Sequence, residues 1–281
     1  MSEPITFGSM FAGIGGIDLG FERCGMECRW QVEIDKYANK VLEKHWPNVE
    51  RWGDVRTFPP DASSKWKVDV VAGGFPCQDI STAGKGAGLN GEKSGLFYEI
   101  IRVARCVKPR AIVLENVAAL LARGMGDVLG ELAAIGFNAE WHCIPASAVG
   151  APHIRDRVFI LANASCDRCD QDAIGITKPS SKAGSATKLP QKSEIPNDSN
   201  GSGERWKRCA EESLSRQQDL QRQLGRVCQD IGRQWAVEPN VGRVAHGVSR
   251  RLDRIKGLGN AVVPQVAEVV GKILLQRMEQ P

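Results

Sequence analysis

The chain has 281 residues, 42% of them hydrophobic and 25% charged, and a net charge of +4. That length is enough for a sizeable core and one or two domains, and so small a net charge excludes bulk electrostatics as evidence for a nucleic-acid partner. Nine cysteines is an odd number, no basic-then-apolar leader opens the sequence, and no apolar run is long enough to span a bilayer; the expected setting is reducing and cytoplasmic, without disulfides or membrane contact.

The first 162 residues read as alternating short strands and helices, an α/β pattern. Residues 5–10 form the first predicted strand, Gly15 and Gly16 allow a tight turn, and a helix runs through 19–22. Strands follow at 29–33, 68–72 and 111–114, the last two apolar enough to be buried on both faces. Helices are predicted over 36–45, 96–106 and 125–135, and Trp141 with its neighbours, then 157–161, complete the sheet. The character changes after residue 162. Residues 177–203 are dense in Ser, Thr, Pro, Gly and Asn, which predicts a long loop or disordered insert. Residues 211–233 carry apolar side chains at roughly helical spacing, which fits a surface helix pair, and 262–278 is an apolar-periodic helix. The expected division is a large domain over 1–162, a small irregular domain over 163–255, and a C-terminal helix over 256–281 that returns to the large domain.

Phe11-Ala12-Gly13-Ile14-Gly15-Gly16 lies between a strand and a helix. Such a turn brings backbone N–H groups close to a nucleotide-like cofactor, or is simply compact. It lacks the Gly-x-Gly-x-x-Gly spacing and no Gly-Lys-Ser/Thr loop exists, so pyrophosphate is not favoured. Glu33 and Asp35 end the second strand, where a carboxylate can accept from ribose hydroxyls. Gly53-Asp54-Val55 adds a polar corner for an adenine edge. A glycine turn with downstream acids and no phosphate grip suits S-adenosylmethionine.

Gly74-Phe75-Pro76-Cys77-Gln78 puts one sulfur in a turn after an apolar strand, and a second apolar strand ends in Glu115-Asn116-Val117. A thiolate is a strong nucleophile and a carboxyl group beside it can supply a proton. Cytosine chemistry uses that pair. Thiolate addition at C6 makes C5 enamine-like, and a proton or strong hydrogen bond at N3 favours the addition. C5 then takes a methyl group, and loss of its proton with expulsion of the thiolate restores the ring. Arg155-Asp156-Arg157 leads into a strand; Arg157 suits cytosine O2, Arg155 suits a catalytic loop or a phosphate, and both also fit a surface ladder. A cysteine hydrolase would need a histidine partner, which His142 or His153 could supply in space.

The glycine turn, Glu33-Ile34-Asp35, Gly53-Asp54-Val55, the Pro76-Cys77 turn, Glu115-Asn116-Val117, Arg155-Asp156-Arg157 and Gly259-Asn260-Ala261-Val262-Val263-Pro264, in this order, resemble the bacterial and phage DNA cytosine-5 methyltransferase family. The resemblance covers about 1–162 and 240–276. It implies a Rossmann-like S-adenosylmethionine-dependent large domain, a small target-recognition domain, and double-stranded DNA in the cleft. It implies that Cys77 attacks C6, Glu115 engages N3, Phe11 packs near the adenine, Glu33 binds ribose, Asp54 lies by the adenine amine, Asn260 completes the cofactor side, and Asn116 holds the catalytic loop or Pro76. Ala12, Gly13, Gly15 and Gly16 complete the cofactor turn. Residues 81–95, rich in glycine, resemble the mobile loop over the target, with Gln78 and Ser81 at its start. His153 stands where the family usually has glutamine, and Ile80 stands near a usual aromatic.

The target base must leave the stack, so base flipping is expected. Sequence reading falls to about 165–250, with Arg243, Arg250 and Arg251 as candidates for DNA contact and Arg205, Lys207 and Arg208 as further basic residues. Cys166-x-x-Cys169 has zinc-like spacing, but Cys209 and Cys228 make no matching second pair, and the cysteine–glutamate chemistry requires no metal. A monomer in the cytoplasm at the bacterial nucleoid is expected, bacterial or phage-encoded; the sequence leaves open whether it is solitary or the protective partner of a restriction endonuclease. An RNA cytosine-5 methyltransferase is the near rival, and a non-catalytic DNA-binding module the rival from another class.

Overall fold

A computed structural model describes residues 3–58, 64–76, 94–164, 225 and 251–279. Five strands, Thr6–Met10 (β1), Glu27–Val32 (β2), Glu50–Trp52 (β3), Val70–Gly74 (β4) and Ala111–Val117 (β5), pair in parallel. Phe137–Pro145 (β6) and Asp156–Ala164 (β7) are antiparallel to each other, and β7 inserts antiparallel beside β5. The sheet order is β3-β2-β1-β4-β5-β7-β6. Six α-helices among the described residues surround it: Gly16–Arg23 (α1), Lys36–His45 (α2), Phe97–Val107 (α3), Met125–Ala134 (α4), Arg251–Asn260 (α5) and Pro264–Glu279 (α6). This is the Rossmann-like α/β class read from the sequence.

The core follows from composition. Val70, Val71 and Ala72 in β4 and Ala111 to Leu114 in β5 are all buried, as central parallel strands covered on both faces require. The Trp30 indole crosses β1 at Gly8, where a Cβ would lie 2.1 Å from the ring, and its Nε1 donates to the Trp66 carbonyl at 3.1 Å. Helix α6 lies along α1: a Cβ on Gly20 would come within 2.4 Å of the Ala267 methyl, and one on Gly271 would lie 2.9 Å from Cys24 Sγ and 3.3 Å from the Phe21 ring.

Several boundaries differ from the pattern-based expectation. Helix α1 begins at Gly16 rather than residue 19, because Gly15, at φ 86°, starts it directly from the glycine turn. Strand β5 runs on through Glu115, Asn116 and Val117, paired with Phe159, Val158 and Arg157 of β7, so the polar residues belong to the strand. Helix α6 starts at Pro264, whose fixed φ and missing N–H suit a first helical position. The stretch Leu252–Glu279 is long and apolar enough by length and composition to cross a membrane, which the sequence reading had not anticipated. Within it, α6 buries Val266, Ala267, Val269, Val270, Ile273 and Leu274, which is how a core helix behaves.

Two compact units divide the chain, one of Met1–Cys166 with Val227–Pro281 and one of Asp167–Arg226. All of the second except Gly225 lies outside the described residues, as do the predicted loop at 177–203 and helix pair at 211–233.

Candidate active site

The C-terminal ends of β1, β2, β4 and β5 open onto a cavity of about 830 Å³. Ligands in open α/β sheets gather at this edge, where loops are free to diverge. Phe11, Gly13, Glu33, Pro76, Glu115 and Asn260, singled out far apart in the sequence, all line it.

At one end the glycine turn is held by Glu33. Its Oε2 accepts the Gly13 N–H at 2.7 Å and its Oε1 accepts the Asp35 N–H at 2.7 Å. A carboxylate has capacity for further donors beyond these two. Phe11 and Gly13 have positive φ, 54° and 57°, and a Cβ built on Gly13 would meet nothing within 4 Å, so backbone stands open to a ligand there. Ala12 donates its N–H to Val32, and Gly15 and Gly16 face a neighbouring, mainly apolar cavity of about 860 Å³. Asp54 is turned elsewhere. It holds Arg56 through both carboxylate oxygens, which keeps its carboxyl below the usual range, and it does not line the cavity.

At the other end sits Glu115, buried at the end of β5. Gly74 makes room for it, since a Cβ there would lie 2.7 Å from Glu115 Oε2. Arg157 Nε stands 2.9 Å from Glu115 Oε1. Burial raises the Glu115 pKa, and the nearby charges of Arg157 and Arg155 oppose that rise. Asn116 donates Nδ2 to the Phe75 carbonyl at 3.2 Å and accepts the Val117 N–H, which fixes the backbone immediately before Pro76. Cys77, Gln78 and Ser81 lie outside the described residues, as do Arg243, Arg250 and the Cys166-Cys169 pair; Arg251 starts α5. Among the described residues, no three His, Cys, Asp or Glu side chains gather as a metal site.

Arg155 does not line this cavity. With φ 35°, its guanidinium donates Nη1 to the Gly259 carbonyl at 2.8 Å and Nη2 to the Ala261 carbonyl at 2.5 Å. Lys256, which the sequence offers only as the end of a basic run, pairs with Asp35 at 2.7 Å across the cavity rim, and Gly257 packs on Ile14 and Tyr37.

The family model described as C-5 cytosine-specific DNA methylase matches residues 5–236. The type II methyltransferase M.NgoBI of Neisseria gonorrhoeae is 35% identical over 156 residues, 54% of this chain and 48% of that protein. M.BanI of Aneurinibacillus aneurinilyticus is 35% identical over 167 residues, 56% of this chain and 38% of that protein. The chain thus spans less than half the length of these relatives. The solved structure of the Entamoeba histolytica methyltransferase EhMeth shares the fold, with a TM-score of 0.50, 16% identity, and coverage of 69% of this chain and 64% of that one.

Proposed function

Since the chain belongs to the C-5 cytosine-specific DNA methylase family, we propose that it methylates C5 of cytosine in double-stranded DNA, with S-adenosylmethionine as cofactor. The observation that carries this reading is the joining of Glu115, its Arg157 partner and Pro76, the residue before Cys77, in one cavity with the Glu33-braced glycine turn. The residues fit the cofactor: open backbone at Gly13, the Glu33 carboxylate for hydroxyl groups, and Phe11 for a ring. When bound, S-adenosylmethionine supplies an electrophilic methyl group.

The protein's own residues do the rest. Cys77 adds through sulfur to C6 of a flipped cytosine, while Glu115, raised by burial, donates a proton or hydrogen bond to N3. Electron density moves to C5, which becomes nucleophilic. Arg157 orients Glu115 and donates to the O2 of the flipped base. After methyl transfer, C5 loses its proton and the C6–S bond breaks, which frees Cys77. Asn116 holds the Phe75 carbonyl and so fixes the take-off of the Cys77 turn.

The direct test is to incubate the protein with labelled S-adenosylmethionine and unmethylated genomic DNA and to map 5-methylcytosine at single-base resolution. Methylation in one repeated context is expected; transfer to RNA alone would replace DNA as the substrate. Cys77→Ala should abolish transfer and keep DNA binding. Glu115→Gln should slow transfer by about 10²–10⁴-fold with cofactor affinity little changed.

A further inference from the structure

Arg155 and Arg157 stand two residues apart yet hold different partners. Arg157 reaches Glu115. Arg155 reaches the carbonyls of Gly259 and Ala261, the residues on either side of Asn260, across 104 and 106 positions of chain. The Gly259 carbonyl belongs to the last turn of α5, where carbonyl groups lack helical partners, and a guanidinium there also opposes the negative end of the helix dipole. The Ala261 N–H closes the same turn on the Gly257 carbonyl at 3.0 Å. Asn260 is therefore clamped through its backbone on both sides, and its position at the cavity wall is set by one side chain.

The clamp is specific to arginine. Its planar fork aims two N–H groups at two carbonyls at once, which a single ammonium cannot reproduce. The Arg155 backbone is bent into the left-handed region to deliver it, at φ 35°. The loop behind it is closed by the Ala146 N–H donating to the Ile154 carbonyl at 2.7 Å, so the fork is presented from a fixed base.

We infer that Arg155 is a positioning residue for the cofactor end of the site, acting through Asn260, and that the short Arg155–Arg157 segment joins cofactor binding to the placement of Glu115. This rests on the functional reading above. It assigns Arg155 to neither the target base nor a phosphate.

The test measures S-adenosylmethionine affinity and target-duplex affinity separately, each on the full chain, for Arg155→Met, Arg155→Lys, Asn260→Ala and the Arg155→Met/Asn260→Ala double variant. Arg155→Met should weaken the cofactor about tenfold to a hundredfold, the range for hydrogen bonds from a charged donor, while duplex affinity without cofactor stays within about twofold. Arg155→Lys should recover only a minor part. The double variant should bind no worse than the weaker single variant, because both changes act on one residue. Full cofactor affinity in Arg155→Met, additive losses in the double variant, or equal loss of cofactor and duplex affinity with a lowered Tm would each overturn the assignment. Failure of the unsubstituted chain to bind S-adenosylmethionine would overturn the functional reading and this role with it.

Discussion

Asp18 shows how much one buried acid can matter. It lies in the first turn of α1 and is fully buried, accepting from Ser9 Oγ at 3.1 Å, Gln31 Nε2 at 2.8 Å and the Cys28 thiol. Burial outweighs those hydrogen bonds and pushes its pKa up to about 6. Because the folded value lies above the unfolded one, the acid's contribution is fully present below about pH 4 and is lost as pH rises through 6. Asp18→Asn should therefore gain stability relative to the parent on going from pH 4 to pH 8, by about 2–3 kcal/mol. Denaturant unfolding of both proteins at the two pH values checks this; a constant difference between them would refute it. Nothing in the sequence announced this residue, since an acid in the first turn of a helix ordinarily faces solvent and complements the dipole. The glycine turn, Glu33 and Glu115 were legible because their meaning is local: each sits at the end of an apolar strand. Arg155 was legible as a residue but not in its contacts, because its partners lie more than a hundred positions away.

Among the elements, the α1–α6 contact is a close one between two helices. Gly20 approaches the Pro264 carbonyl and the Glu268 N–H within 2.7 Å of where its Cβ would be, so any side chain must push backbone apart. Gly20→Val should cost about 1–3 kcal/mol and expose α6 to protease. Gly130, in α4, is the control: its Cβ would meet nothing within 4 Å, and Gly130→Ala should be neutral or raise the Tm, as helix propensity favours alanine. Equal behaviour of the two variants would argue against close packing as the cause. The periodicity of residues 262–278 was enough to identify α6 as a helix. It could not identify the partner, because small residues on α1 signal close approach only once both helices are seen together.

For the whole molecule, specificity is expected to reside in the stretch between about 165 and 250, almost all of it outside the described residues. Exchanging that stretch for its counterpart in a relative should change the methylated sequence while leaving the chemistry intact; mapping 5-methylcytosine in the hybrid decides it. The order of elements along the chain carries a further consequence. The Cys24 thiol donates to the Glu268 carbonyl at 3.2 Å, across 244 residues. On the ribosome, α1 emerges early, but the helix that covers Phe21 is synthesised only after α5. Parallel strands and contacts of such sequence separation are slow to close. The nascent chain must therefore carry an uncovered apolar face until α6 has been made, and the interval before α6 docks is when aggregation competes most strongly with folding.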